Sequence, residues 1–132
     1  MSLRTIKLYG FFGDCPDKNI CNNVFISLYQ ENDAQINVHL VSYELETISD
    51  MPAINDFSFT VYTLAGSVVF ARTLSHDDVT VSDNVISIRL YDDDISELSG
   101  YYYVECNAHI SDYRFTLFIG HILFCETNLS IG

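Results

Sequence analysis

"VISIRLYDDDISELSGYYYVEC", residues 85–106, is the stretch on which the fold turns. Its first part alternates: Ile86, Ile88 and Leu90 fall on one side and Ser87 and Arg89 on the other, the period of a strand with one face in a core and one in water. Three consecutive aspartates then follow. Asp93 or Asp94 is placed to cap one short turn of helix, a side-chain oxygen accepting from backbone N–H groups two or three residues on, and Glu97 stands three residues after Asp94 as a capping box requires. Gly100 is expected to end that turn and Leu98 to point inward. The segment therefore reads as a corner carrying the chain from one sheet to another. One of Tyr101, Tyr102 and Tyr103 is expected to hydrogen-bond back to it, as in the tyrosine corner of Greek-key sandwiches. Spacing alone does not choose among the three; Tyr102 is counted with the corner.

The same alternation recurs outward from this stretch. "FSFTVYT" sets Phe57, Phe59 and Val61 against Ser58, Thr60 and Tyr62, and "QINVHLVSY" and "NVFISLYQ" do likewise, rich in the β-branched and aromatic residues that suit a pleated surface. "YYYVECNAH" sets Tyr102, Val104, Cys106 and Ala108 against Tyr101, Tyr103, Glu105, Asn107 and His109. "RFTLFIGHILF" is apolar on both faces, as a central strand covered on both sides would be, and these last two strands are expected to be neighbours. Turn chemistry separates the strands. Gly66 can take the positive φ of a tight hairpin, and Asp83-Asn84 and Ser111-Asp112 offer side chains that bond their own turn. "ELETISDMPAIND", residues 44–56, is polar and contains Pro52, which removes a donor, so it reads as a loop. No repeat, no helix pattern and nothing to make a parallel crossover is evident. The expectation is an all-β, immunoglobulin-like antiparallel β-sandwich of about seven to nine strands.

The chain has 132 residues, 48% of them hydrophobic and 14% aromatic, enough to offset the entropy of ordering one core. A single domain over residues 1–132 is expected, with residues 1–3 read as an expression scar. Eighteen acidic residues against six basic ones give a net charge of −12. The six, Arg4, Lys7, Lys18, Arg72, Arg89 and Arg114, are scattered, which argues against a nucleic-acid backbone or an anionic membrane as partner. No run approaches the roughly 20 apolar residues of a membrane span, and no export signal stands at the start. A cytoplasmic location is expected unless the chain belongs to a virion.

Residues that carry chemistry elsewhere make no constellation here. The aspartates have a calcium reading, Asp92, Asp93 and Asp94 joined by Asp77, Asp78 or Asp83, but calcium wants six to eight oxygens and adjacent strand-end residues point apart. The corner is preferred to the ion. No acid pair can be placed for glycoside hydrolysis. His39, His76, His109 and His121 show no metal-ligand spacing and read as structural. Cys106 and Cys125 lie among apolar residues, where thiolate is disfavoured; Cys15 and Cys21, in "CPDKNIC", lack a zinc spacing and a second pair. All four thiols are read as reduced. "NLS" at Asn128 is a chance sequon without an export signal. No catalytic residue, cofactor or metal is assigned. Nine tyrosines and nine phenylalanines are mostly packing, with a Tyr platform for sugar stacking as the sharper alternative.

Residues 57–125 resemble a known family. "FSFTVYTLAGSVVFARTL", "VTVSDNVISIRLYDDDISELSGYYYVEC" and "RFTLFIGHILF" are similar to the immunoglobulin-like sandwich domains of phage tail and baseplate proteins and their prophage relatives, including the amino-terminal domain of upper baseplate proteins of lactococcal-type phages. The matching positions are Gly66, the strand 86–90, the acidic corner 92–100 ending in Leu-x-Gly, Tyr101, Tyr102 and Tyr103, and Gly120. The first 50 residues do not align with that pattern, and the chain stops where a tail protein continues into a stalk. The resemblance implies a stand-alone adaptor, an accessory virion component or a domain of something larger, acting by docking without an active site. Its implied partners are other virion subunits or copies of itself, as a homo-oligomer. The alternative is a carbohydrate- or ligand-binding module of the same sandwich type, with a glycan as partner, which a glycan array would discriminate.

Overall fold

The computed structural model describes residues 4–11, 23–30, 32–41, 54–75, 78–110 and 113–125. Among them are nine strands and one helical turn: β1 (Arg4–Phe11), β2 (Asn23–Tyr29), β3 (Ala34–Val41), β4 (Ile54–Tyr62), β5 (Val68–Thr73), β6 (Val79–Ser82), β7 (Val85–Leu90), α1 (Asp92–Ile95), β8 (Gly100–Ile110) and β9 (Tyr113–Cys125). They build two sheets, β1-β3-β7-β6 and β2-β9-β8-β4-β5, packed as a sandwich. The alternating residues sort as the sequence demands. Ile36, Val38 and Leu40 of β3 and Ile86, Ile88 and Leu90 of β7 meet Ile26 and Leu28 of β2, Phe57, Phe59 and Val61 of β4, and Val104 and Cys106 of β8, all in one buried cluster. Each such aliphatic or aromatic side chain contributes about 1.5–3 kcal/mol by leaving water.

The sheets are mixed rather than antiparallel throughout. β1 runs parallel to β3, and β2 parallel to β9. Parallel neighbours need a crossover, and the sequence shows no helix to supply one; β2 supplies it. The chain leaves β1, returns through β2 in the opposite sheet, and re-enters the first sheet as β3 in the original direction.

Turn chemistry acts where it was expected. Gly66 has φ +95° in the β4–β5 hairpin, and Asp83 takes the left-handed region, φ 54°, in the β6–β7 hairpin. Ser111 and Asp112 lie outside the described residues, as do Pro52 and most of the loop 44–56. That loop ends sooner than the sequence suggests, since β4 already begins at Ile54, with a pairing irregularity between Ile54 and Asp56 against β8. A second irregularity, between Cys106 and Asn107 of β8, passes over Leu117 of β9 and turns both Leu117 and Phe118 inward. Asn107, buried with them, accepts a hydrogen bond from the Thr116 hydroxyl at 2.8 Å.

Cys106 is fully buried, and the burial, followed by the charge of Glu105, raises its thiol pKa well above the ordinary value of 9.0. In the unfolded chain the thiol ionises first. The stability Cys106 contributes is therefore complete below pH 9 and is lost as pH rises toward the folded-state pKa. Urea midpoints taken across that range should fall more steeply for the natural chain than for Cys106→Ala, and equal slopes would contradict this.

Candidate interaction face

The segment between β7 and β8 is held from a distance. It joins β7 of one sheet to β8 of the other. The helical turn begins earlier than expected, with Tyr91 at the N-cap position and Asp92, Asp93 and Asp94 all in the first turn. Asp94 is thus not the cap but the acid of the turn, its carboxylate accepting the Tyr91 N–H at 3.0 Å. Glu97 falls beyond the helix, which stops at Ser96. Gly100, with φ +88°, serves the entry to β8 rather than the helix end. Ile95 is the fully buried side chain of the corner, and Leu98 packs half-buried beside it. Tyr102 faces inward and sets its ring edge-to-face on Phe124, centroids 5.3 Å apart.

Three residues outside the corner fasten it. Asp33, in the β2–β3 turn, accepts the Asp92 N–H at 2.9 Å; Gln30 of the same turn donates to the Leu98 carbonyl at 2.6 Å. Arg72 of β5 reaches Asp94 at 2.6 Å, with its guanidinium 5.1 Å from the Phe70 ring centre. Arg72 is buried, whereas Asp94 keeps 31% of its side chain in solvent. Asp94→Ala is expected to cost about 2–3 kcal/mol, since a charge-assisted hydrogen bond contributes ~1.5–3 kcal/mol and the Tyr91 N–H loses its acceptor as well. The double variant with Arg72→Met should recover part of the loss, because the buried cation no longer lacks its partner. A urea double-mutant cycle measures both; strict additivity would mean that the pair does not interact.

These contacts spend Asp94 on the fold and leave Asp92 and Asp93 exposed. Among the described residues no group of three or more His, Cys, Asp or Glu side chains stands close enough to hold a metal ion. His39, His109 and His121 lie on three separate strands, β3, β8 and β9. His39 lines a cleft of about 380 Å³ with Lys7, Tyr9, Asp83 and Asn84. Partial burial, and then the Lys7 charge, lowers its pKa. His76, Asp77, Cys15, Cys21 and Asn128 lie outside the described residues.

The two outer faces of the sandwich differ in chemistry. On the four-stranded sheet, β3 and β7 present Gln35, Asn37 and His39 beside Ser87 and Arg89, tied by Gln35–Asn37 and Ser87–Asn37 hydrogen bonds of 2.9 and 2.8 Å. On the five-stranded sheet the outward rows of β2, β9 and β8 carry Phe25, Tyr101, Tyr103, Ile119 and Leu123 beside the polar Asn23, Ser27, His121 and Glu105. β9 is an interior strand, between β2 and β8, and Ile119 on its outer side is 47% exposed. Strand register lines up Phe25, His121, Tyr103 and Tyr62 across β2, β9, β8 and β4. Leu123 and Tyr101 form the next row on one side, Ile119 and Glu105 on the other. Tyr103 and His121 meet at a tilt, 4.9 Å between centroids, and Phe25 meets Tyr101 edge-on at 6.2 Å. The Tyr62 hydroxyl donates to Glu105 at 3.4 Å. A shallow groove of about 270 Å³ runs between Tyr62, Tyr103, Glu105, Ile119 and His121. Such an arrangement can stack and exclude water, and it offers one carboxylate and one imidazole to a partner.

The structure resembles that of the N-terminal domain of ORF48 of phage TP901-1, with a TM-score of 0.55 and 10% sequence identity over 92% of this chain and 98% of that one. At that identity the likeness is one of fold, and it spans nearly the whole of both chains. No protein-family model matches the sequence, and no curated protein matches it.

Proposed function

We propose that this chain is a non-catalytic structural module of a phage or prophage tail or baseplate, acting through protein–protein contacts. The observation that carries the reading is the near-complete overlap in fold with a phage protein domain, 92% of one chain on 98% of the other. The residue chemistry agrees with it. Among the three aspartates, where an ion or acid–base site would first be sought, the Asp94 carboxylate is engaged in fastening the segment between β7 and β8, while the open aromatic face offers contact area. Fold kinship by itself is compatible with many roles, so the test is physical. Phage particles induced from a strain that carries the gene, purified by density and digested, should yield peptides of this chain at a fixed ratio to the tail proteins. Its presence in the cell extract together with its absence from intact particles would overturn the reading.

A further inference from the structure

We propose that the outer face of the five-stranded sheet is where two copies of this chain pack together. Phe25, Tyr101, Ile119 and Tyr103 are 58, 54, 47 and 42% exposed on that face, and register places them in adjoining rows on three neighbouring strands. An aromatic side chain offers roughly 200 Å², so these half-exposed groups alone present on the order of 400 Å². Tyr62, His121, Leu123 and Thr60, in the same rows, extend the patch within the ~300–600 Å² of the largest patch on a monomer, a size that is often functional.

Charge selects the occupant. The chain carries 18 acidic residues and a net charge of −12. Yet of the outward residues Asn23, Phe25, Ser27, Ile119, His121, Leu123, Tyr101, Tyr103 and Glu105, only Glu105 is an acid. A basic partner would be recognised by the acids, which lie elsewhere. A near-neutral aromatic face on an otherwise anionic molecule matches another face of the same kind, because a copy brought there by its charged side would be repelled. A two-fold axis lying in the face between β8 and β9 makes the contact self-complementary, as an isologous dimer requires. It sets Tyr103 of one copy over His121 of the other, and Phe25 over Tyr62.

The residual repulsion between two anionic molecules gives the contact a diagnostic salt response. Added salt screens the net charges while the apolar contact remains, so association tightens with salt; an interface built on ion pairs would loosen. Light scattering and sedimentation equilibrium of the full chain from micromolar to millimolar concentration, at low and high salt, should give a dimer that strengthens with salt. Phe25→Glu and Tyr103→Glu should each raise the dimer dissociation constant at least about tenfold, as the loss of an aromatic anchor does. The milder Tyr103→Ser should follow in the same direction, with circular dichroism unchanged. Thr80→Glu, on the opposite sheet, should leave the constant unaltered. A monomer under all conditions overturns the proposal. So does a dimer equally stable in Tyr103→Glu and Thr80→Glu, or one that salt weakens. None of these results bears on the virion reading, since a subunit can dock equally well through a strand edge.

Discussion

Phe118→Ala is expected to remove about 3–5 kcal/mol of stability, the range for truncating a buried aromatic. Against a total of ~5–15 kcal/mol for a typical domain, that leaves the chain close to unfolding. Phe118 is 1% exposed and meets Phe59, itself fully buried, edge-on at 6.3 Å between ring centroids. It sits where the β8–β9 register shifts and both Leu117 and Phe118 are buried. The urea midpoint should drop with the slope unchanged, the sign of lost stability without a change in the surface exposed. Phe25→Ala supplies the contrast. That ring is 58% exposed on the outer face, and in dilute monomer its removal should shift the midpoint little. If Phe118→Ala cost less than about 1 kcal/mol, the bulge would not be locking the centre of the sandwich.

The two phenylalanines also show what the sequence can and cannot convey. Alternation in "VISIRL" and "FSFTVYT" identified the inward rows correctly because side-chain period depends only on a residue's own strand. The same alternation is blind to the direction of the neighbour. The parallel pairs β1–β3 and β2–β9 join segments far apart in the chain, and hairpin chemistry reports only adjacent antiparallel strands. β9 was read as covered on both sides because its outward residues, Ile119 and Leu123, are as apolar as a buried row. Composition cannot say whether that row meets another layer or open solvent.

Between β7 and β8 a short acidic turn was legible as a local signal, but not its start at Tyr91 nor the place of Gly100 at the entry to β8. The fastenings were not, since Asp33, Gln30 and Arg72 act from 59, 68 and 22 residues away in sequence. Local capping rules place an acid near a helix start, but that Asp33 takes the Asp92 N–H while Asp94 takes both the Tyr91 N–H and Arg72 follows from tertiary approach. The aromatic face was half visible: Tyr101 and Tyr103 share a period, whereas Phe25 and His121 join them only through the pairing of β2 with β9 and of β9 with β8.

Gly120→Ala is expected to be more damaging than its single added methyl suggests. Gly120 lies between Val24 of β2 and Val104 of β8. A Cβ there would overlap the Val24 carbonyl oxygen and come within 2.8 Å of the Val24 amide nitrogen and carbonyl carbon. Backbone atoms cannot rotate aside as a side chain does. The overlap is relieved only by moving β2, which is an edge strand whose one ladder is the parallel pairing with β9. The cost should therefore exceed the ~1–3 kcal/mol of ordinary overpacking. Gly66→Ala meets nothing within 4 Å and has only a positive φ against it. It should cost no more than the ~1–2 kcal/mol of left-handed backbone. Hydrogen exchange locates the damage: amides of β2 should lose protection in Gly120→Ala while those of β4 and β8 retain it. Because Phe25 rides on β2, the variant should also lose the edge of the aromatic face. A Gly120→Ala protein milder than Gly66→Ala, with β2 still protected, would mean that β2 and β9 do not approach this closely.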